Sequence, residues 1–491
     1  MNIAFVASEV YPFAKTGGLA DVSGALPKSL AQHDVNIKVF MPLYSQIDKS
    51  EFKLKKVFQA GDIPIKYGSK EYYVKIYKSI IPGSNVDIYF IDSPIHYNRE
   101  TLYTIEPDEA ERFGLFNVSV LEVLQRLQWS PDIIHCNDWQ TGLIPLLVKE
   151  NYAWDKLFAK TKTIFTIHNI AYQGIFSTEI IENLKLNRDY FYPQGPLEYN
   201  GEVNFLKCGL IFSDIITTVS KTYAKEILTE EFGAGMQDIL GERKNDVHGI
   251  LNGVDYSEWC PESDKVIPYN FSLTKLAGKK KNKQVLLKEI GFEEDIQLPL
   301  IGIVSRMVEQ KGVELIMESI EELMKLNVRW AVIGSGIKEY EEMFLEVADR
   351  YSDRFFLKLG YDNKLAHLIE AGSDLFLMPS RYEPCGLNQI YSLKYGTVPI
   401  VRSTGGLADT VHDSEGLNES EELWTGFAFK EFSSAKMFET ITRALKYYDD
   451  KKFWKKIVKN GMQKNYSWDV SANKYIEIYE LAINSRKESN V

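Results

Sequence analysis

The hexapeptide Thr-Gly-Gly-Leu-Ala-Asp occurs twice in this chain, at residues 16–21 and again at residues 404–409. Each copy follows a short apolar run, at residues 3–7 and 398–401 respectively, and each can begin a helix. Paired glycines let the backbone approach a ligand closely, and the N–H groups at a helix N-terminus favour an anion. Each half of the chain is therefore predicted to place a glycine turn between a strand and a helix, either as a simple turn or as a phosphate site.

Further apolar runs have the pattern of strands that are buried on both faces of a parallel sheet. They lie at residues 35–41, 132–135, 163–168 and 214–219 in the first half, and at residues 300–304, 330–333, 355–359 and 374–378 in the second. Helical spacing lies between them, as in Val313, Ile316, Ile320, Leu323 and Met324. Because alternating strands and helices form right-handed βαβ units, we expect an α/β protein with two doubly wound, Rossmann-like sheets that face each other across a deep cleft.

The length of the chain favours more than one domain. A sequence of 491 residues is too long for one ordinary hydrophobic core, and the hydrophobic fraction of 45% is ample for large cores. A charged, helix-poor stretch at residues 241–247 marks the boundary, so we expect domains at residues 1–245 and 246–468. In the second domain, a basic run is interpreted as a solvated helix face; it consists of Lys279, Lys280, Lys281 and Lys283.

Charge and composition argue against several classes of partner. The 57 Lys and Arg residues against 68 Asp and Glu give a formal net charge of −11, which disfavours nucleic acid and anionic membranes. No apolar stretch is long enough to span a bilayer and no signal peptide precedes the first strand, so we expect a cytoplasmic location. Neither disulfides nor a structural zinc site are expected, because the cysteines are widely spaced and form no C-x-x-C; they are Cys136, Cys208, Cys260 and Cys385.

Two cations follow a predicted strand of the second half. Arg306 and Lys311 come after residues 300–304. Ligands of open α/β sheets bind beyond the carboxyl ends of the strands, and a guanidinium fork beside an ammonium point charge suits a diphosphate. Surface salt bridges with Glu309 or Glu314 are the alternative interpretation.

A carboxylate follows another strand of the same half. Glu383 lies after residues 374–378 and is followed by Pro384, Cys385, Gly386 and Leu387. Pro384 fits the first position of a helix, so the backbone N–H groups of residues 385–387 are predicted to lie at a helix N-terminus. Glu383 is then either a helix cap or a group that holds a sugar hydroxyl.

Polar residues also end two strands of the first half. His168 and Asn169 follow residues 163–167, and Asp138 with Trp139 follows residues 132–135. A single histidine at a strand end is usually structural, but here it coincides with a second polar strand end.

Several familiar motifs are absent: the chain has no complete G-x-G-x-x-G after Gly334, no Walker lysine loop, no H-E-x-x-H and no G-x-S-x-G. Dehydrogenase, NTPase, metalloprotease and α/β-hydrolase functions are accordingly disfavoured.

Six motifs in this order resemble those of the bacterial glycogen synthases and plant starch synthases. They lie at residues 15–22, 166–169, 250–255, 305–312, 383–387 and 403–407. The resemblance covers essentially the whole chain and implies a retaining glucosyltransferase of GT-B architecture. Such an enzyme transfers glucose from ADP-glucose to the non-reducing end of an α-1,4-glucan such as glycogen. The resemblance further implies an acceptor-side N-terminal domain, a donor-binding C-terminal domain and a final helix, residues 469–491, that crosses back to the N-terminal domain.

The resemblance also assigns roles to individual residues. The catalytic set would be Lys15, His168, Arg306, Lys311 and Glu383, whose lysines and arginine would neutralise the diphosphate. Further donor contacts would come from Gly17, Gly18, Asn252, Tyr361, Cys385, Gly386, Leu387, Thr404 and Gly405, with Tyr361 stacked on the base. Acceptor or sugar contacts would come from Asp21, Tyr97, Asp138, Trp139 and Asn169. No metal and no cofactor is expected, because the cationic side chains can stabilise the leaving diphosphate.

Two positions depart from the family pattern, and two other functions stay open. Tyr391 stands where the wider superfamily has a second glutamate, and Asn388 stands where many relatives have threonine. One alternative is a related glucosyltransferase with another acceptor, such as sucrose or a lipid. The other is a catalytically silent glucan-binding protein, which the complete catalytic set argues against. The expected partners are a nucleotide sugar and a glucan, and neither nucleic acid nor a membrane.

Overall fold

The protein is described by a computed structural model over residues 1–416, 420 and 422–485. Contacts within the chain divide it into two compact units. Of the described residues, the first unit comprises Met1–Val219, Ala224–Gly253 and residues 468–485, and the second comprises Ser220–Tyr223 and Val254–Ser467. Residues 486–491 of the predicted final helix lie outside the described residues. The main passage from the first unit to the second thus lies at Gly253, beyond the residue 245 at which the sequence analysis draws the boundary.

A ten-stranded sheet forms the centre of the first unit, with the order β13-β12-β8-β7-β1-β2-β6-β5-β3 and with β4 paired to β5. A second, three-stranded sheet has the order β10-β11-β9. The strands are β1 (Asn2–Val6), β2 (Asn36–Pro42), β3 (Lys55–Lys56), β4 (Ile63–Tyr67), β5 (Lys70–Ile80), β6 (Asp87–Asp92), β7 (Ile133–Asn137), β8 (Lys162–Ile167), β9 (Ile175–Phe176), β10 (Glu198–Tyr199), β11 (Glu202–Asn204), β12 (Ile215–Thr218) and β13 (Val247–Gly249).

Parallel pairing runs from β13 through to β6, which confirms the predicted α/β sheet for this half. The antiparallel strands β3, β4 and β5 extend the sheet at one edge and were not predicted. The reason lies in their sequence: β4 alternates buried and exposed residues instead of running apolar on consecutive positions. The helices of this unit are α1 (Gly18–Leu30), α2 (Pro94–Tyr97), α3 (Glu109–Arg126), α4 (Ile144–Lys149), α5 (Glu179–Asn183), α6 (Phe205–Phe212), α7 (Lys221–Glu226), whose first residues belong to the second unit, and α8 (Gln237–Glu242).

The second unit contains a six-stranded, fully parallel sheet with the order β16-β15-β14-β17-β18-β19. Its strands are β14 (Leu300–Val304), β15 (Arg329–Gly334), β16 (Phe355–Leu359), β17 (Leu375–Met378), β18 (Val398–Arg402) and β19 (Phe427–Phe429). Its helices are α9 (Ala277–Glu289), α10 (Val313–Glu318), α11 (Ile320–Leu323), α12 (Lys338–Arg350), α13 (Asn363–Gly372), α14 (Asn388–Tyr395), α15 (Gly405–Thr410), α16 (Ser434–Asp449) and α17 (Lys451–Met462).

Both sheets reverse their strand order at one place. In the first unit the chain builds outward from β1 through β2 and β6 on one side and from β7 on the other, so the reversal lies between β1 and β7. In the second unit it lies between β14 and β17. Because the loops after two such strands diverge, a crevice opens at the carboxyl ends, where open α/β sheets bind their ligands. Lys15 and Asp138 follow the first pair of strands, and Arg306 and Glu383 follow the second.

Two helical predictions for the second unit need correction. The apolar residues predicted on one helix are all buried, but Ser319 separates α10 from α11, and its hydroxyl donates a 2.7 Å hydrogen bond to the Leu315 carbonyl. Such back-bonding bends helices. The predicted solvated basic face of α9 is wrong for Lys283, which is 4% exposed, lies 2.6 Å from Asp374 Oδ2 and donates to the carbonyls of Ile296 and Leu298. It is also wrong for Lys279, which is half-buried and donates to the Thr397 hydroxyl at 2.6 Å. A buried ammonium in this helix is therefore structural.

The last helix, α18 (Trp468–Asn484), belongs to the first unit. Tyr475 and Tyr479 are fully buried, whereas Ile483 near the end of the helix is 42% exposed. The Tyr479 hydroxyl lies 2.7 Å from Nδ1 of His135 on β7, and burial lowers the pKa of His135 to about 3. The helix is thus joined to the central sheet by a neutral histidine. No helix in the described ranges combines the length and the apolar character that crossing a membrane requires.

Candidate active site

A buried ion pair lies at the reversal point of the second unit. Lys311 Nζ is 2.5 Å from Glu383 Oε2, and the Ser380 hydroxyl donates to the same oxygen at 3.1 Å. Glu383 is 5% exposed, so the ammonium compensates a carboxylate that is largely removed from water. Gly312 fixes the turn after Lys311, because its φ is +69° and a Cβ there would lie 2.1 Å from the Pro379 carbonyl oxygen. The two charges that the sequence placed after separate strands are therefore in direct contact.

Arg306 lies on the same side of the sheet but is far less engaged. It is exposed, and its Nη2 makes a long 3.5 Å contact with Gln310 Oε1. A guanidinium fork that is held this loosely is free to bind an anion without breaking a strong internal interaction. The alternative interpretation, a surface salt bridge with Glu309 or Glu314, does not apply to Lys311, which pairs with Glu383, and Glu314 pairs with Arg381 at 2.7 Å.

The helix after Glu383 begins later than predicted. Its first residue is Asn388, so Pro384 lies in the preceding turn and the prediction that it opens the helix is wrong. Gly386 has a φ of +70°, which indicates a tight turn at residues 384–387. Asn388 Nδ2 donates a 2.6 Å hydrogen bond to the Val304 carbonyl at the end of β14. The asparagine that departs from the family pattern thus ties the Glu383 segment to the strand that precedes Arg306.

The second copy of the hexapeptide packs against the Glu383 segment. A Cβ at Gly405, whose φ is +46°, would lie 1.9 Å from the Glu383 carbonyl oxygen, and one at Gly406 would lie 2.0 Å from that of Cys385. The Gly406 N–H donates to the Glu383 carbonyl at 3.1 Å. Asp409, the last residue of this copy, accepts the N–H groups of Lys221 and Thr222 at the start of α7. These glycines are required by close packing against the segment that carries the carboxylate.

The glycines of the first copy of the hexapeptide, in contrast, face open space. A Cβ at Gly17 or at Gly18 would meet nothing within 4 Å, and Gly17 has an extended φ of −151°, which any residue adopts. Neither the neighbours nor the backbone therefore demands glycine here. α1 begins at Gly18, and no side chain caps its N-terminus. Open space in front of a helix N-terminus suits a ligand that comes close to the backbone.

Lys15 precedes this first copy and pairs with its last residue. Lys15 Nζ lies 2.7 Å from Asp21 Oδ1, with 47% of the lysine side chain and 31% of the aspartate side chain exposed. The ammonium also lies 5.6 Å from the centre of the Tyr11 ring. Burial raises the pKa of Asp21, an effect that the neighbouring Lys15 opposes. An exposed pair of this kind is easily exchanged for contacts with a bound anion.

The polar residues after β7 and β8 form one hydrogen-bonded group. Asp138 Oδ1 accepts the His168 N–H at 2.7 Å, and its carboxylate also accepts the Asn169 N–H. Burial raises the pKa of Asp138 to about 7. The residue has φ 56° and ψ 180°, a combination that is nearly restricted to glycine and costs roughly 1–3 kcal/mol. Strain of this kind is concentrated at functional sites, so Asp138 is a strong candidate in this unit.

His168 is held as a neutral imidazole. Asn137 Nδ2 donates to the Val6 carbonyl at 3.0 Å, which orients the amide so that its Oδ1 accepts from His168 Nε2 at 2.9 Å. The proton is therefore assigned to Nε2, and Nδ1 is left as an acceptor. Burial lowers the pKa of His168 to about 3, so the ring stays neutral at physiological pH.

The remaining predicted residues differ in accessibility. Tyr361 is 72% exposed, while Asn252 is 6% exposed and its Oδ1 has no hydrogen-bond partner among the described residues. Trp139 is half-buried and packs against Phe113 and Phe176. Tyr97 is fully buried and its hydroxyl donates to the Arg112 carbonyl at 3.0 Å, so the predicted sugar contact does not fit its position.

One buried carboxylate beside this group was missed by the sequence analysis. Glu9 follows β1 and is 3% exposed, and it accepts hydrogen bonds from Thr16 and Gly17. The available signal was its place after a predicted strand, the same criterion that singled out Asp138 and Glu383. Among the described residues, no three His, Cys, Asp or Glu side chains lie together as metal ligands would.

Comparisons with known proteins agree with the resemblance drawn from the motifs. Residues 2–242 match the family model of the starch synthase catalytic domain, and residues 289–464 match that of the group 1 glycosyl transferases. The chain is 44% identical to a glycogen synthase of Thermosipho melanesiensis, over 99% of this chain and 100% of that protein. It is 45% identical to a glycogen synthase of Koribacter versatilis, over 98% of each.

A solved structure has the same fold. It is the catalytic domain of starch synthase IV from Arabidopsis thaliana bound to ADP and acarbose, which superposes with a TM-score of 0.91 at 33% sequence identity. The match covers 98% of this chain and 99% of the plant domain. The two-sheet organisation is thus that of the GT-B glycosyltransferases.

Proposed function

The chain belongs to the glycogen synthase family of retaining hexosyltransferases, and from this premise we propose that its donor is ADP-glucose and its acceptor the non-reducing end of an α-1,4-glucan. Enzymes of this family use a nucleotide sugar and a glucan. The choice of adenine is supported by the ADP bound to the plant domain and by the exposed ring of Tyr361, which is available to stack on a base.

The observation that carries the proposal is the contact of Lys311 with Glu383, beside the loosely held Arg306, at the strand reversal of the second unit. When a nucleoside diphosphate leaves glucose, negative charge develops on the diphosphate and positive charge on the sugar ring. We assign the first charge to Arg306 and Lys311 and the second to Glu383. Preorganised charges of this kind usually make the largest single contribution to catalysis.

We assign the residues of the first unit to the sugar and the diphosphate. Lys15 would give up its exposed contact with Asp21 for a phosphate oxygen. His168, neutral and with Nδ1 as an acceptor, would accept a hydrogen bond from a sugar hydroxyl near the anomeric carbon. Asp138, Asn169 and Asp21 would orient hydroxyl groups of the sugar or the acceptor. The strained backbone of Asp138 supports its place in this group.

We further propose that side-chain cations, without a metal ion, neutralise the leaving diphosphate. The diphosphate itself would take the proton of the attacking 4-hydroxyl, so that one C–O bond breaks, one forms on the same face and the proton leaves with the nucleotide. No separate general base is then needed. We also propose a cytoplasmic location, which the four free cysteines support because disulfides are rare in that compartment.

The test is a donor panel with glycogen as the acceptor. ADP-glucose, UDP-glucose and GDP-glucose are supplied in turn, each with and without EDTA, and incorporated glucose is measured. ADP-glucose is expected to give the highest kcat/KM, and EDTA is expected to leave it unchanged. Higher kcat/KM with UDP-glucose would overturn the donor assignment alone. Glucan binding without transfer from any donor would instead support the silent glucan-binding protein, and transfer only to sucrose or a lipid would support a different acceptor.

Alanine at Gly17 and alanine at Gly405 are expected to act in different ways. Gly405→Ala should destabilise the fold by roughly 1–3 kcal/mol, because the new Cβ meets the Glu383 carbonyl at 1.9 Å and φ is +46°. Gly17→Ala should leave stability within about 0.5 kcal/mol of wild type. It should still lower kcat/KM for ADP-glucose roughly tenfold or more, because a methyl group would displace a phosphate that approaches the backbone.

Thermal unfolding and steady-state kinetics of the two variants separate these outcomes. Gly241→Ala is the matched control, because Gly241 lies in α8 and a Cβ there would also meet open space. Gly83→Ala would not serve as a control, because Gly83 has a positive φ. Normal kinetics for Gly17→Ala would remove the first glycine turn from the donor site.

A further inference from the structure

Glu9 holds the loop that carries Lys15. Its Oε2 accepts the backbone N–H groups of Thr16 at 2.5 Å and of Gly17 at 3.2 Å. Its Oε1 accepts the hydroxyl protons of Thr16 and Tyr103, each at 2.6 Å. Four donors thus surround a carboxylate that is 3% exposed, and three of them belong to the two residues that follow Lys15. Hydrogen bonds to a carboxylate are roughly twice as strong as those between neutral groups.

Tyr103 connects this carboxylate to a rigid part of the unit. Its hydroxyl is also 2.7 Å from Ser8 Oγ, and the residues on either side of it are held by a buried pair. Arg112, fully buried, donates to the Leu102 carbonyl at 3.0 Å, and its partner Glu109 accepts the Thr104 N–H at 2.9 Å. Glu9 therefore joins the glycine loop after Lys15 to a side chain whose own position is fixed.

Before Lys15 the chain is held by Ala14, which is buried and whose N–H donates to the Val10 carbonyl at 3.1 Å. After Lys15 the restraints other than Glu9 are weak. The pair of Lys15 with Asp21 is exposed, and pairs of that kind contribute roughly 0–1 kcal/mol. A Cβ at Gly17 or Gly18 would touch nothing, so packing does not fix the backbone there. On the side of the loop that follows Lys15, the backbone is thus held mainly by the hydrogen bonds that Glu9 accepts from the next two residues.

We propose that Glu9 is a positioning residue for glucosyl transfer: it accepts the N–H groups of Thr16 and Gly17 and thereby sets the Lys15 ammonium and the glycine turn for the donor diphosphate. The proposal rests on the function assigned above to Lys15. Glu9 does not itself reach the substrate, because four protein donors occupy its oxygens. A misplacement of about 1 Å in a charge-stabilising group costs roughly 10²-fold in rate.

The chemistry of the four donors predicts which replacement is tolerated. In Glu9→Gln the amide oxygen can take the place of Oε2 and accept both backbone N–H groups. The amide nitrogen then faces the hydroxyls of Thr16 and Tyr103, which can turn to accept its protons. Glu9→Gln should therefore keep the loop in place, whereas Glu9→Ala removes all four bonds and Glu9→Asp withdraws the carboxylate by one methylene.

The experiment measures kinetics, stability and amide exchange in the full chain with ADP-glucose and glycogen. Glu9→Ala is expected to lower kcat roughly 10²-fold, and Glu9→Gln to stay within about tenfold of wild type because its hydrogen bonds persist. Tyr103→Phe, which removes one donor but neither backbone bond, should stay within about threefold of wild type. Hydrogen–deuterium exchange in a peptide over residues 14–18 should be faster in Glu9→Ala and unchanged in Glu9→Gln. Glu9→Asp serves in the same way if Glu9→Ala does not fold.

A double-variant cycle with Lys15→Ala distinguishes positioning from general destabilisation. If Glu9 acts through the loop, the two losses should not multiply. The activity of the double variant should then be about tenfold or more higher than the activity expected from multiplying the two single losses. Losses that simply multiply, a normal kcat in Glu9→Ala, or a loss in Tyr103→Phe as large as in Glu9→Ala would each overturn the proposal. A normal kcat in Lys15→Ala would instead refute the role that the proposed function gives to Lys15.

Discussion

Replacing Arg306 with alanine is expected to lower kcat by roughly 10²- to 10³-fold, which corresponds to about 2.7–4 kcal/mol, while the melting temperature stays close to that of wild type. The loss is large because the guanidinium is assigned to the charge that develops on the leaving diphosphate. Stability is spared because Arg306 is exposed and its contact with Gln310 is 3.5 Å long. Steady-state kinetics and thermal unfolding of the same preparation measure both quantities.

Two comparisons make the Arg306 result specific. Arg350→Ala removes another exposed arginine of the second unit, one that pairs with the exposed Glu321, and it should leave kcat unchanged. Lys311→Ala should lower both kcat and stability, because it leaves the buried carboxylate of Glu383 without its ion-pair partner, a change that costs roughly 3–5 kcal/mol. If Arg306→Ala keeps normal kcat, Arg306 has no part in the chemistry.

Replacing Glu383 is expected to have the other large effect. Glu383→Gln keeps the size of the side chain and an oxygen that can accept from Ser380 and Lys311, but it removes the negative charge beside the sugar. We expect kcat to fall roughly 10²-fold or more, the scale of one lost electrostatic contact with the transition state. Glu383→Ala should fall at least as far, since it also leaves the Lys311 ammonium without its partner. KM for ADP-glucose should change much less than kcat in Glu383→Gln.

A matched change of charge provides the control for Glu383. Glu314→Gln removes the negative charge from a pair with Arg381 in the same unit, and its kcat should be near normal. A double-variant cycle of Glu383→Gln with Lys311→Met measures how far the pair acts as one unit, and we expect losses well below the product of the single ones. A Glu383→Gln enzyme with normal kcat would contradict the assignment of this carboxylate to the sugar ring.

Structure could be predicted from the sequence where a single physical signal, such as a run of buried apolar residues, determines it. Consecutive apolar residues located most of the parallel strands, because strands covered on both faces have no polar positions to obscure the pattern. The parallel strands β6, β13 and β19 were not predicted. The reversal points of strand order then brought Arg306, Lys311 and Glu383 to one edge of a sheet, as the rule for open α/β sheets predicts. The contact between Lys311 and Glu383 was not predicted, since it depends on the turn that Gly312 makes.

Features that depend on the path of a loop were outside the reach of the sequence. The place of Glu9 after a predicted strand was a usable signal, but the hydrogen bonds that it accepts form only when residues 15–17 fold back onto it. Lys283 is buried because distant residues supply its acceptors. The two hexapeptides have the same sequence, yet Gly405 is required by contact with the Glu383 carbonyl while Gly17 faces open space. The same glycines therefore have different structural roles in the two copies, and the hexapeptide sequence alone does not distinguish these roles.

Glucosyl transfer from ADP-glucose to an α-1,4-glucan is tested by analysis of the product. The wild-type chain is incubated with ADP-glucose labelled at the anomeric carbon and a short maltooligosaccharide. Released ADP is counted, and the new linkage is identified by NMR. We expect one ADP for each added glucose and a new α-1,4 linkage at the non-reducing end. Absence of chain extension with ADP-glucose and UDP-glucose alike, or a new linkage of β configuration, would contradict it.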